Sequence, residues 1–189
     1  MAKIIAVVGM PGCGKTEVVE RFVNNGFSKV YFGDVTFDEI KRQNLEVNEK
    51  NERATRERIR KEHGMEAYAK LSLPRIEKGL ETTGKVVVES LYSFEEYQLI
   101  KKKFGNEFAV LAVTASPTTR YNRLKGRPIR PLTPQEVESR DVSQIENLHQ
   151  GGPIAMADFV IVNEGTKDDL VKSISLVIKQ IQQQVIKRD

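Results

Sequence analysis

Apolar residues in this chain fall into short unbroken runs, separated by longer stretches in which they recur every three or four positions. The runs lie within 4–8, 29–32, 85–88, 108–113 and 159–162, the second and third each opening on a lysine. Each is too short for a helix and rich in Val and Ile, so each predicts a buried strand. The intervening periodicity predicts helices over 17–23, 94–104, 117–124, 135–149 and 167–187, and a highly charged helical tract from 35 to about 80. Punctuation supports these boundaries. Asn24-Asn25-Gly26 and Gly105 stop helices, Gly151-Gly152-Pro153 reads as a break, and 125–134 reads as a loop on its Gly126, Pro128, Pro131 and Pro134. Strands that alternate with helices, and that are apolar on both faces, belong to an α/β protein with a parallel sheet covered on both sides. Ligands of such sheets bind beyond the carboxyl ends of the strands.

The turn after the first run is Gly9-Met10-Pro11-Gly12-Cys13-Gly14-Lys15-Thr16. A buried strand precedes it and an amphipathic helix follows, the context that the phosphate-binding pattern Gly-x-x-x-x-Gly-Lys-Thr requires. Its glycines allow backbone angles and close approaches that a Cβ would block. Successive N–H groups then form an anion nest at the positive end of the next helix. Lys15 supplies a cation for the β- and γ-phosphates of ATP, and the Thr16 hydroxyl an oxygen for Mg²⁺. Cys13 occupies a variable loop position and reads as a small filler.

Composition narrows the setting. A length of 189 residues, 39% hydrophobic and 30% charged, suits one soluble domain. The single cysteine excludes an intramolecular disulfide, and no leader or membrane-spanning run is expected, so the expected location is cytoplasmic. A net charge of +4 admits an anionic ligand without indicating nucleic acid.

Further candidates sit at strand ends and in one loop. Glu89 closes the third strand, where an acid can hold Mg²⁺ directly or through water; the alternative is a solvated strand-end carboxylate. Asp34 closes the second strand, where it could orient an acceptor hydroxyl, share in the metal site, or cap a helix beginning at Val35. Arg120, Arg123, Lys125, Arg127 and Arg130 lie in a window, 115–135, without an acid. Unpaired cations at that density suit phosphate oxygens and a lid that closes over them, the alternative being a solvated basic loop. Arg53, Arg56 and Arg60 share one helix face and could bind an acceptor phosphate, although interleaved glutamates equally make a salt-bridged surface, with Glu49–Arg53, Glu52–Arg56 and Glu57–Lys61 as expected pairs. His63 and His149 read as surface residues.

On the 9–16 loop, Phe32-Gly33-Asp34-Val35, the basic segment with Arg140-Asp141, and the stretch 157–165, the chain resembles the nucleoside-monophosphate-kinase-like branch of P-loop proteins. More narrowly it is similar to an archaeal family related to dephospho-coenzyme A kinases and adenylate kinases. The resemblance implies a three-layer P-loop NTP hydrolase fold with a five-stranded sheet in the order 2-3-1-4-5. It also implies one domain over 1–189, with a helical acceptor-binding insertion at about 34–80 and an Arg-rich lid at about 123–141. Arg123, Arg127 and Arg130 would clamp phosphate, with Arg140 a further candidate, and the chain after the last strand would lie near the adenine. Relatives tend to carry Asp-Gly-x-Arg after the third strand, where this chain has Glu89-Ser90-Leu91-Tyr92. The expected function is Mg-dependent transfer of the ATP γ-phosphate to a small nucleotide-like acceptor, with neither nucleic acid nor membrane as partner. Two alternatives stay open: dephospho-coenzyme A kinase, and a nucleotide-dependent ATPase or switch that binds RNA or a protein.

Overall fold

In the computed structural model, which describes residues 2–128 and 131–183, the five runs form one parallel sheet. The strands are β1 (Ile4–Val8), β2 (Ser28–Tyr31), β3 (Val86–Glu89), β4 (Phe108–Thr114) and β5 (Phe159–Val162), ordered β2-β3-β1-β4-β5. The expected order therefore holds, and strand ends shift by one residue at most. β1 is buried throughout because strands flank it on both edges and helices cover both faces. The edge strands β2 and β5 are buried only at alternate positions, since one side of each faces solvent.

Side-chain alternation along β1 divides the core. Ile4, Ala6 and Val8 join the face that holds Phe32, Ile59, Tyr68, Ile76 and Ile100, whereas Ile5 and Val7 join the face that holds Phe22, Ile174 and Ile178. The helices are α1 (Lys15–Asn24), α2 (Asp34–Arg42), α3 (Glu49–His63), α4 (Ala67–Thr83), α5 (Phe94–Phe104), α6 (Pro117–Lys125), α7 (Pro134–Glu146), α8 (Gly151–Ala155) and α9 (Lys167–Gln183). A 3₁₀ turn links α5 to β4. The charged tract after β2 is thus three helices. Asn44 at φ 54° ends α2 and Gly64 at φ 83° ends α3, both in the left-handed region that terminates a helix.

Two further expectations are corrected. Gly151-Gly152-Pro153 is not a break but opens α8. Proline is tolerated there because the first turn of a helix has N–H groups without intrahelical partners. The α2 helix begins at Asp34 itself, with Gly33 in the capping position and no side-chain capping hydrogen bond there. Elsewhere sequence caps work as written: Ser93 with Glu96 and Thr133 with Glu136 form reciprocal capping boxes on α5 and α7. No helix among the described residues is long and apolar enough to cross a membrane.

Candidate functional site

The loop between β1 and α1 turns its N–H groups inward, which leaves its carbonyls facing outward and in need of donors. Gly9, Gly12 and Gly14 take φ of 143°, 80° and 103° to make this turn. At Gly14 a Cβ would stand 2.5 Å from the Asn163 amide nitrogen, so the close approach itself excludes a side chain. The donors come from the far end of the sequence. Arg120 Nη1 reaches the Pro11 carbonyl at 3.1 Å, Gln150 Nε2 the Gly9 carbonyl at 3.1 Å, and Asn163 Nδ2 the Cys13 carbonyl at 2.9 Å. Lys15 folds back across the loop, donating from Nζ to Gly9 O at 2.6 Å and to Met10 O at 3.1 Å. The third ammonium N–H is directed at the Cys13 sulfur at 3.9 Å, a long, weak contact that a phosphate oxygen would outcompete. Thr16 is exposed and Cys13 fully buried.

Electrostatics gather other residues around Lys15. Burial depresses its pKa below the usual lysine value, the Cys13 thiol and the Glu89 carboxylate act against that depression, and Arg127 adds to it. Glu89 also pairs with Lys29 Nζ at 2.6 Å, so it is not a merely solvated carboxylate. A bound polyphosphate would bring the negative charge that a lysine pressed by burial and by an arginine lacks.

The basic segment after β4 divides in two. Arg120 is not a free cation: it is 5% exposed and bidentate to Asp141 at 3.0 and 2.7 Å. The window's missing acid is supplied from α7. Arg123 Nη2 lies 3.5 Å from Asn163 Oδ1, while its Nη1 is buried with no partner among the described residues. Arg130 lies outside the described residues, and Arg140 is exposed on α7. Glu164, after β5, accepts from the Ser116 N–H and from Thr119 Oγ1, and so moors the start of α6 beside Asn163.

Beyond β2 and β3 lies a polar corner. The Tyr31 ring lies across Gly33, where any Cβ would overlap it. Burial raises the Tyr31 pKa, with Tyr92, Glu89 and Asp34 adding to the shift and a hydrogen bond from Ser90 opposing it. Ser90 and Tyr92 hydroxyls are 3.2 Å apart. Ser90 holds φ at 68°, the left-handed region in which a glycine would sit without strain. On α3, Arg53 and Arg56 are spent on Glu57 and on Glu49 and Glu52 respectively, so of the expected pairs only Glu52–Arg56 forms. Arg60 instead turns inward over the Tyr68 ring, 4.7 Å from its centroid, with a buried Nε that has no partner among the described residues. Tyr68 shares a 2.7 Å hydrogen bond with Thr36, and the fully buried Glu96 lies close to Arg60. A separate cavity of about 320 Å³ opens among α2, α3 and α4. Its charges are mutually paired, Glu39 with Arg42 and Arg58, and Asp38 with Arg75, and no loop residue lines it.

A glycine nest with its lysine, set at the carboxyl end of the central strand of a 2-3-1-4-5 parallel sheet, defines a P-loop protein of the kinase-like fold. The sequence profile of a family described as an AAA domain matches residues 5–146. The chain is 34% identical over 181 residues to a UPF0200 protein of Thermococcus gammatolerans, covering 94% of this chain and 95% of that one. It belongs to that archaeal family. Among solved structures, shikimate kinase from Bacteroides thetaiotaomicron superposes with a TM-score of 0.57 at 13% identity, covering 95% of this chain and 98% of the other. A sugar kinase from Janibacter sp. gives 0.57 at 12% identity over the full length of both chains. At such identities the likeness is one of fold.

Sequence reasoning missed Asp141, Gln150 and the anchoring role of Asn163. Asp141 and Asn163 stood within stretches already singled out, but nothing there marked them as partners of the loop. Gln150 carries no motif.

Proposed function

We propose that this protein is an ATP-dependent phosphotransferase that moves the γ-phosphate to a small, anionic, nucleotide-like acceptor. The observation that carries the reading is the glycine loop with a lysine whose third N–H is held only by the Cys13 sulfur at 3.9 Å, and Arg127 close enough to depress that same lysine. Converging cations are what a transferring phosphoryl group requires, because its transition state asks for positioning and charge stabilisation more than for covalent chemistry.

Thr16 and Glu89 would hold Mg²⁺. The ion keeps most of its waters and takes one or two protein oxygens together with the phosphates, so a hydroxyl and a single carboxylate fit it better than an all-protein cage. Among the described residues no cluster of three or more carboxylate, thiol or imidazole groups competes for it. When bound, the ion neutralises charge on the phosphate oxygens. Asp34 would orient the acceptor hydroxyl, Arg60 would meet the acceptor's anionic group, and Arg123 and Arg127 would close from the α6 side as part of a lid over 123–141. Helices α2 to α4 supply the acceptor side.

ADP release from Mg-ATP, measured with each nucleoside monophosphate, with dephospho-coenzyme A and without acceptor, tests the proposal. Stimulation by one compound is expected, with Lys15→Ala lowering it about a hundred- to thousandfold. Stimulation by dephospho-coenzyme A alone would assign that kinase activity. Slow hydrolysis that no acceptor stimulates would favour a nucleotide-dependent switch, a reading that Tyr92, standing where relatives carry an arginine, keeps in play.

A further inference from the structure

Gln150 is fully buried where α7 gives way to α8. Its backbone N–H donates to Gln144 O at 3.0 Å, so the residue is fixed from behind. Its side chain crosses 141 positions of sequence to donate to Gly9 O. That carbonyl has two lone pairs, and the other donor it receives is Lys15 Nζ. At the other end of the amide, Oε1 is buried and accepts from nothing among the described residues. An unsatisfied buried acceptor destabilises the fold, which an apolar side chain of the same length would not. Stability therefore does not account for an amide at this position.

We infer that Gln150 is a positioning residue, which aims the Gly9 carbonyl and through it the Lys15 ammonium, and so sets the preference of the loop for a triphosphate over a diphosphate. The inference rests on the proposed phosphate-binding role of the 9–16 loop. With Gln150 in place, Gly9 O is held on its outer side and Lys15 must bridge to it at a fixed point. The third ammonium N–H, held only by the Cys13 sulfur at 3.9 Å, is then the one that arriving β- and γ-phosphates take over. Without that outer donor the carbonyl rotates toward Lys15, and the ammonium settles back against the loop. A γ-phosphate, which depends on this cation, loses more than a β-phosphate that the backbone N–H groups also hold.

The test uses the full chain with Gln150→Met, which keeps the length of the side chain and removes the donor. Calorimetric affinities for the non-hydrolysable analogue AMP-PNP and for ADP, both with Mg²⁺, are read beside the Tm. The expected result is AMP-PNP binding about five- to tenfold weaker, one hydrogen bond's worth, with ADP within about twofold and a Tm equal to or above wild type. Gln150→Glu, which has the same shape but places an acceptor against Gly9 O and a charge beside Lys15, is expected to lose more of the preference. An unchanged AMP-PNP to ADP ratio in Gln150→Met overturns the inference, as does equal weakening of both ligands with a lowered Tm. The parent reading fails separately, if Lys15→Ala binds both nucleotides as wild type does.

Discussion

Two stretches of this chain carry a cation every three or four residues, and the fold uses them in opposite ways. On α3, Arg53 and Arg56 lie along the surface and spend their charge on glutamates of the same helix. Between β4 and α7, Arg120 is buried, Arg123 reaches Asn163 beside the loop, and the exposed Arg127 lies near enough to Lys15 to act on its charge. What separates them is where the counter-charge comes from. Glutamates along the same helix satisfy Arg53 and Arg56 in place and leave them in water, whereas Asp141 on α7 draws Arg120 into the protein. Two α3 arginines reach beyond the helix: Arg58 pairs with Glu39 of α2 at 2.6 Å, and Arg60 is drawn inward over Tyr68, close to the acid Glu96.

The comparison breaks most visibly at Arg120. Arg120→Met leaves the Asp141 carboxylate without its partner in a largely buried place and removes the donor to Pro11 O. It is expected to cost about 3–5 kcal/mol in urea unfolding. Arg120→Met with Asp141→Leu should recover most of that loss, because no lone charge remains. A single variant as stable as wild type would mean that the pair does not hold α7 to the loop.

Next in size is Glu96, which faces Arg60. Burial pushes its carboxyl up to about 7, against two backbone hydrogen bonds from Tyr92 and Ser93 and the Arg60 charge, with Glu95 adding to the rise. The folded protein therefore holds a proton there that the unfolded chain has lost. This contribution is complete below the unfolded value of 4.5 and disappears as pH rises to about 7, a fall of up to ~3 kcal/mol. Glu96→Gln should flatten the pH dependence of unfolding across that window; an unchanged slope would show that the carboxyl is not the titrating group.

The smallest effect is on the α3 surface. Arg56→Gln should change stability by less than ~1 kcal/mol, and the difference should shrink further in 1 M salt. A larger, salt-insensitive loss would place Arg56 beside Arg60 in function.

The same contrast explains what could be read from the sequence. The strands were legible because β1, β3 and β4 are buried on both faces and so carry unbroken apolar runs. The loop was legible because phosphate binding demands glycines and Lys-Thr at fixed spacing. Arg120 was misjudged because an acid-free window says nothing about Asp141, which is 21 residues away and becomes a neighbour only through the packing of α6 on α7. Gln150 and Asn163 passed unnoticed for a different reason. They serve the loop through neutral amides, which create no charge pattern and no periodicity. The split of the charged tract into α2, α3 and α4 had signals in Asn44 and Gly64, but continuous helical composition on either side concealed them.

The sheet register also bears on how the chain is made. Strand β1 leaves the ribosome before the strands it pairs with and is wholly apolar, yet Ile4 pairs with Val86 on one side and Phe108 on the other. At synthesis rates of about 5–20 residues per second, roughly 4–16 s pass before the first of these partners exists. For that interval the strand that will end as the centre of the molecule is its most exposed adhesive segment.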